Sequence, residues 1–149
     1  MAPPTLFLGE FEHSIDDKSR LAVPARFRPA LEAGLVVTRG LDRCLVIWDA
    51  ETWRNEAESI VRLDSLRADV RRYKRYALVA ATATPDRLGR VVIPRVLREY
   101  AQLETEVVIV GLGDRIEVWS RAEWERERTE AERTAADLAE HLATARTES

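Results

Sequence analysis

The sequence predicts an α+β fold that contains a duplicated β-loop-β-helix-β-β module, peripheral helices and a long C-terminal helix. Three features lead to this prediction. The segment 16–28 recurs at 86–98 with several identical positions. Short apolar stretches bounded by turn residues favour β-strands. Residues 121–144 are rich in alanine, glutamate and arginine and lack proline and glycine, which favours one long exposed helix.

The internal repeat is the strongest of these features, because a repeat constrains the whole fold. Its first part recurs at an offset of 70, and its second part, 36–53 over 107–124, recurs at an offset of 71. Both copies contain two tryptophans five residues apart. We therefore interpret the chain as a duplication. The coinciding positions are Asp16 with Asp86, Arg20 with Arg90, Pro24 with Pro94, Arg28 with Arg98, Trp48 with Trp119 and Trp53 with Trp124.

Each copy predicts the same order of elements. Residues 10–15 alternate between apolar and polar side chains, which is the period of a half-buried strand. Pro24 and Pro94 end a second strand and open a short helix, since proline is tolerated in the first helical turn. The predicted elements of the first copy are strands 10–15, 20–23, 35–38 and 44–48, loop 17–19 and helix 25–32; those of the second are strands 78–84, 90–93, 107–110 and 116–119, loop 87–89 and helix 95–100.

A module of about 45 residues is too small to bury a sufficient core alone. We therefore expect the two copies to share one core, either by interleaving their hairpins or by packing face to face. The predicted domains are a first module at 7–54, a helical linker at 55–77, a second module at 78–124 and a helical tail at 125–149. Leu138 and Leu142 are expected to form a weak apolar stripe on the tail.

Composition and motifs argue against several other classes of function. The single cysteine, Cys44, lies in an apolar stretch, which favours a buried, inert thiol in a reducing compartment. The first residues lack the features of a signal peptide, and no stretch has the roughly 20 apolar residues of a membrane span. His13 and His141 belong to different elements, and no phosphate-loop, metal or nucleophile motif occurs. We expect a soluble cytoplasmic protein that is not an enzyme and has no cofactor, metal, membrane partner or small-molecule substrate.

The net charge of −3 arises at the C-terminal end of the chain. Residues 120–149 hold five arginines and eight acidic residues, whereas residues 1–119 hold 18 basic and 18 acidic residues. The average charge is therefore no argument against a nucleic-acid partner. Arginine greatly outnumbers lysine, and its forked guanidinium suits phosphates and guanine edges.

The paired motifs resemble those of the MraZ family. The resemblance runs from about Phe7 to Trp124 and rests on the segments 7–28, 86–94 and 116–119. It implies two AbrB-like swapped-hairpin modules with a double-barrel-like shared core. It also implies a ring-shaped homo-oligomer that associates with the nucleoid and binds repeats in double-stranded promoter DNA. Members of the family generally repress their own operon of cell-division and cell-wall genes.

The two D-x-x-x-R loops are the candidate DNA-binding sites. In the family the arginine of this motif contacts DNA, and the resemblance assigns that role to Arg20 and, through the repeat, to Arg90. Lys18 is a further candidate for a phosphate contact. Asp16 and Asp86 are predicted to structure the loops by accepting backbone N–H groups and to orient the arginines.

The fourth position of the loop differs between the two copies. Gly89 matches the family pattern and is predicted to permit the turn, because glycine reaches positive φ at no steric cost. Ser19 departs from that pattern, which predicts either strain or a different turn in the first loop. Because the first loop also carries Lys18, we expect it to dominate DNA contact.

Other conspicuous residues have more ordinary interpretations. Arg28 and Arg98 favour helix-surface or subunit contacts, the basic run 71–75 favours a solvated helix face over a nucleic-acid patch, and the tryptophans favour packing. Two other functions stay open, namely a non-enzymatic protein-interaction scaffold and an antitoxin-like regulator. Antitoxins of this broad fold are usually single-copy, which the duplication argues against.

Overall fold

A computed structural model describes residues 6–148 of the chain. It is a mixed α+β structure with an antiparallel sheet and a long C-terminal helix, which confirms the predicted class, and the predicted module order occurs twice. The elements are β1 (Glu10–Ser14), β2 (Arg20–Ala22), a 3-10 turn (Ala25–Phe27), α1 (Arg28–Leu31), β3 (Leu35–Arg39), β4 (Leu45–Asp49), α2 (Ala50–Val61), α3 (Ala68–Ala77), β5 (Ala80–Ala83), β6 (Arg90–Val92), α4 (Arg95–Tyr100), β7 (Glu106–Gly111), β8 (Ile116–Ser120) and α5 (Arg121–Glu148).

The two copies interleave through exchanged strands. Six strands form one sheet in the order β1-β7-β8-β4-β3-β5, so the first strand of each copy pairs with the third strand of the other. Both exchanged pairs are antiparallel. The second strands, β2 and β6, form a separate two-stranded ribbon. Of the two arrangements expected from the sequence, the structure therefore has the interleaved one.

One hydrophobic core serves both copies, as the size argument predicts. Leu21 and Phe27 from the first copy and Val91 and Leu97 from the second belong to the same buried cluster. The ring of Phe27 lies edge-on to Phe7, with ring centroids 5.3 Å apart, and makes an equivalent contact with Phe11. Because each copy contributes half of this core, neither can keep it when the other unfolds.

The two tryptophans of each copy pack together where a strand is followed by a helix, which is β4 followed by α2 in the first copy and β8 followed by α5 in the second. Trp48 and Trp53 have ring centroids 5.6 Å apart, and Trp119 and Trp124 have them 5.7 Å apart. Trp48 and Trp119 are buried. The repeat at these positions therefore reflects equivalent sheet-to-helix junctions, consistent with the predicted packing role.

Two side chains of the basic run 71–75 stabilise the connection between α2 and α3. Lys74 Nζ donates to the carbonyls of Val61 and Leu63 at 2.9 and 2.8 Å, at the C-terminal end of α2. Arg71 donates to the carbonyls of Ser65 and Leu66. Cations suit this position because helix carbonyls are unpaired there. Arg71 remains solvent-exposed, as predicted, whereas Lys74 is half-buried.

The thiol of Cys44 is buried, in agreement with the sequence. Its burial raises the pKa of the thiol far above the ordinary range, and the neighbouring charge of Glu117 raises it further. The thiolate is the reactive form of cysteine. The thiol is therefore inert at neutral pH, as expected for a packing residue.

Helix α5 extends beyond the sheet that its first turns contact. Trp124 Nε1 donates to Glu10 at 2.8 Å, and Arg128 pairs with the same carboxylate. From residue 129 to 147 the side chains are exposed except Thr134, and both Leu138 and Leu142 are exposed. The predicted apolar stripe is therefore uncovered. Among the described residues, no helix has the length and apolar character that a membrane crossing requires.

Removing residues 129–149 is expected to leave the free energy of unfolding unchanged within ~0.5 kcal/mol, because the side chains described from 129 to 147 are solvent-exposed except Thr134. Denaturant unfolding of the truncated and full-length chains measures the difference. Trp124→Ala is the matched control within α5 and should be destabilising, since this ring packs on Trp119. A truncated chain that loses more than about 1 kcal/mol would contradict the prediction.

Candidate nucleic-acid interface

The first D-x-x-x-R loop is closed by the carboxylate of Asp16. Asp16 Oδ1 accepts the backbone N–H groups of Lys18 and Arg20, both at 2.9 Å. Its Oδ2 accepts Arg20 Nε at 2.7 Å. An aspartate that accepts the N–H two residues ahead is a standard way to fix a tight turn. One carboxylate therefore shapes the loop and also holds the arginine.

The second loop repeats this arrangement. Asp86 Oδ1 accepts the backbone N–H groups of Leu88 and Arg90 at 2.9 Å, and Asp86 Oδ2 accepts Arg90 Nε at 2.9 Å. These are the contacts that the predicted loop-structuring role of the two aspartates requires. The role in function stays a prediction.

Both aspartates are held in their charged form. The backbone N–H of Arg20 lowers the pKa of the Asp16 carboxyl below its usual value, and the guanidinium of the same residue adds to this effect. Arg90 lowers the pKa of Asp86 in the same way. Both ion pairs therefore remain intact at neutral pH.

The fourth loop position adopts the same backbone conformation in both copies. Ser19 has a φ of 62° and Gly89 a φ of 75°, both in the left-handed region. Of the two expectations for Ser19, the structure therefore excludes a different turn and leaves backbone strain. An added Cβ at Gly89 would also meet the guanidinium of Arg28, so that side chain would have to move aside. The sequence pattern gave no sign of this second constraint.

The substitution Ser19→Gly is expected to stabilise the protein by about 0.5–1 kcal/mol. It removes a left-handed penalty of roughly 1–2 kcal/mol and adds a smaller entropic cost of about 0.5–1 kcal/mol in the unfolded chain. Denaturant unfolding measures the change. The reciprocal control, Gly89→Ser, should be destabilising because it adds both backbone strain and the collision with Arg28. Equal changes in the free energy of unfolding for Ser19→Gly and Gly89→Ser would contradict this interpretation.

The ribbon of β2 and β6 places both candidate arginines on one surface. Leu21 lies opposite Val91, and both are buried in the core. Since side chains alternate along a strand, Arg20 and Arg90 project from the other face. They occupy a diagonal of the antiparallel register, for which the Cα atoms are about 7–8 Å apart.

The pairing of the ribbon continues into both loops. The N–H of Val23 donates to the carbonyl of Gly89 at 2.8 Å, and the N–H of Ile93 donates to the carbonyl of Ser19 at 2.9 Å. Each loop is thus attached to the end of the other copy's strand. The two loops form one continuous surface, which no local sequence pattern indicated.

The arginines keep part of their guanidinium groups available. Their side chains are 27% and 30% exposed, for Arg20 and Arg90 respectively. Each uses Nε for its aspartate, and within residues 6–148 their Nη atoms donate no hydrogen bond. Lys18 is exposed beside Arg20, and Arg87 is exposed beside Arg90. The surface therefore presents four cationic side chains to solvent.

The repeated arginines Arg28 and Arg98 bond to the backbone that follows the ribbon strands. Arg28 Nε donates to the carbonyl of Val23 at 2.8 Å, and Arg98 Nε donates to the carbonyl of Ile93 at 3.0 Å. Both carbonyls lie just beyond the ribbon strands. Both arginines lie on the predicted short helices, and their acceptors belong to the same chain five residues earlier. A contact with another subunit stays a prediction.

The interleaved repeat and its arginine-bearing ribbon define a duplicated, two-module protein with one shared surface. A family model described as "MraZ protein, putative antitoxin-like" matches the chain twice, at residues 6–76 and 77–147. The chain belongs to the MraZ family. This confirms the resemblance that the loop motifs indicated, and the two matched segments are contiguous.

Curated relatives match over nearly their whole length. A protein of Desulforamulus reducens is 43% identical over 92% of this chain and 97% of its own. One of Moorella thermoacetica is 43% identical over 92% of this chain and 96% of its own. One of Roseiflexus castenholzii is 42% identical over 95% of this chain and 99% of its own. All three are named "Transcriptional regulator MraZ".

Proposed function

We propose that the protein is a DNA-binding transcriptional regulator and that the β2–β6 ribbon is its DNA-contacting surface. The observation that carries the proposal is the position of Arg20 and Arg90 on one outward face, each held by an aspartate. The names of the family relatives support the same function.

The ribbon has the dimensions and chemistry that duplex DNA accepts. The major groove admits a two-stranded β-ribbon, and arginine binds guanine O6 and N7 or phosphate oxygens. Asp16 and Asp86 hold Nε, so the Nη atoms are directed without the entropic cost of ordering a free arginine. Lys18 lies at the edge of the ribbon, where a phosphate contact fits its point charge.

A single ribbon with few cations binds weakly, so we propose that affinity comes from several copies. A ring-shaped homo-oligomer on repeated promoter sequences gains avidity without any new contact. In this proposal the protein represses its own operon of cell-division and cell-wall genes and is cytoplasmic and nucleoid-associated. The family resemblance supports these details. It also supports the proposed division into AbrB-like modules at 7–54 and 78–124, a helical linker at 55–77 and a tail at 125–149.

Footprinting on the DNA upstream of the protein's own gene tests this proposal. We expect protection of spaced repeats that resists non-specific competitor DNA and weakens steeply with salt, as phosphate contacts require. A scrambled duplex of equal length and composition is the control. Equal binding to the two duplexes would contradict sequence-specific regulation.

A protein-interaction scaffold is the second candidate, because residues 129–147 of α5 are largely exposed with Leu138 and Leu142 uncovered. This function predicts no competitor-resistant DNA binding. The same footprinting experiment therefore distinguishes the two candidates. An antitoxin-like regulator would require a toxin partner that binds the chain, which co-purification from its own host measures.

A further inference from the structure

We infer that Val92 and Ala22, the two apolar side chains on the outward face of the ribbon, read thymine methyl groups in the major groove. This inference rests on the proposed function and assigns a base preference to the same surface. It adds two specificity-determining residues to the arginines of the loop motif.

The register of the ribbon places these side chains between the arginines. Val92 lies opposite Arg20, and Ala22 lies opposite Arg90. The outward face thus has two arginines on one diagonal and two apolar side chains on the other. Val92 is 57% exposed, and Ala22 is half-buried at the end of β2.

The inward side chains already supply the packing of these strands. Leu21 and Val91 are buried to 0% and 2% exposure, so the core gains little from Val92. A single exposed valine is common and by itself indicates nothing. Its position beside two aspartate-held arginines, on a surface that would face DNA, is what indicates a contact.

The spacing fits the stacking of base pairs. Residues two apart on a strand are separated by about 6.8 Å, which equals two steps of roughly 3.4 Å along the duplex. When an arginine of the ribbon lies at a base edge and its strand runs along the duplex axis, the apolar side chain two residues along that strand lies over a base pair two steps away.

The chemistry of the groove then determines what an apolar side chain can recognise. The C5-methyl group of thymine is the apolar group on the major-groove edge of the bases. Valine has two terminal methyl groups and alanine one, so we expect the larger preference for thymine at the Val92 end. The two halves of the ribbon thus read different sequences although their loops are equivalent.

Thymine-to-uracil replacement tests the inference, because it removes only the C5-methyl group. Fluorescence anisotropy compares the footprinted upstream duplex with the same duplex carrying uracil throughout the protected region. Wild-type protein is expected to lose about fourfold in affinity for each methyl group contacted. Val92→Ala should weaken binding to the thymine duplex by a similar factor and reduce the sensitivity to uracil.

Two further variants complete the design. Ala22→Ser tests the other apolar position with little change in volume. Leu112→Ala is the matched control, because this side chain is also exposed but lies in the β7–β8 connection, and it should leave the uracil sensitivity unchanged. Thermal unfolding of each variant shows that the ribbon is intact.

The outcomes separate the inference from the proposed function. Wild-type protein that binds the thymine and uracil duplexes equally, or Val92→Ala protein with full uracil sensitivity, overturns the inference alone. Wild-type protein that binds the upstream duplex no better than a scrambled one overturns the proposed function as well.

Discussion

Replacing Arg20 with alanine is expected to reduce affinity for the upstream promoter DNA at least 100-fold. An arginine that contacts a base edge contributes about 1–3 kcal/mol, and each 1.4 kcal/mol corresponds to tenfold in affinity. In a multivalent assembly the loss recurs in every ribbon that contacts DNA, so the effects multiply. A gel shift at fixed salt concentration, with the protein titrated over three decades, measures the change.

Three controls accompany this variant. Size-exclusion chromatography should show the same oligomer as the wild type, because the side chain of Arg20 is partly exposed and its guanidinium bonds to Asp16 of the same loop. Arg90→Ala should have a smaller effect, since we expect the first loop to dominate. Lys18→Ala should reduce the slope of log affinity against log salt concentration by about one, and it should weaken binding to all DNA sequences alike. Unchanged binding by the Arg20 variant would refute the assignment of this residue.

Replacing Phe27 with alanine is expected to cost about 3–5 kcal/mol of the free energy of unfolding. Phe27 is fully buried, and its ring contacts both Phe7 and Phe11. This loss is a large part of the roughly 5–15 kcal/mol that stabilises a typical domain. Because the core is shared, we expect one cooperative transition in which both copies unfold together.

Denaturant unfolding followed by tryptophan fluorescence and by far-ultraviolet circular dichroism measures this effect. The repeat supplies the matched control, since Leu97 occupies the equivalent buried position in the second copy. Phe27→Leu should therefore cost much less than Phe27→Ala. Two separate transitions, one for each copy, would show that the modules do not depend on a common core.

The aspartate contacts expected in the two loops are local. Asp16 bonds to Lys18 and Arg20, and Asp86 bonds to Leu88 and Arg90, so each loop is closed within five residues. A spacing in the sequence therefore translates directly into geometry. The prolines that end the second strands act in the same way, because a proline limits its own backbone.

The contacts of Arg28 next to the ribbon could not be predicted from the sequence in the same way. Arg28 has the spacing of a helix residue, and only the folded chain shows that its guanidinium reaches back to Val23 and lies beneath Gly89. The space beside the glycine is thus occupied by a side chain more than sixty positions earlier in the chain. No local pattern contains that constraint.

By itself the sequence determined the duplication, the order of the strands and helices and the closed geometry of each D-x-x-x-R loop, because these depend on neighbouring residues. Only the tertiary structure decided that the copies exchange strands and that Arg20 and Arg90 share one surface. That arrangement depends on the pairing of β2 with β6, about seventy residues apart. The register of such a pair is selected by burial of Leu21 and Val91 in the common core, which forms only when both copies fold together.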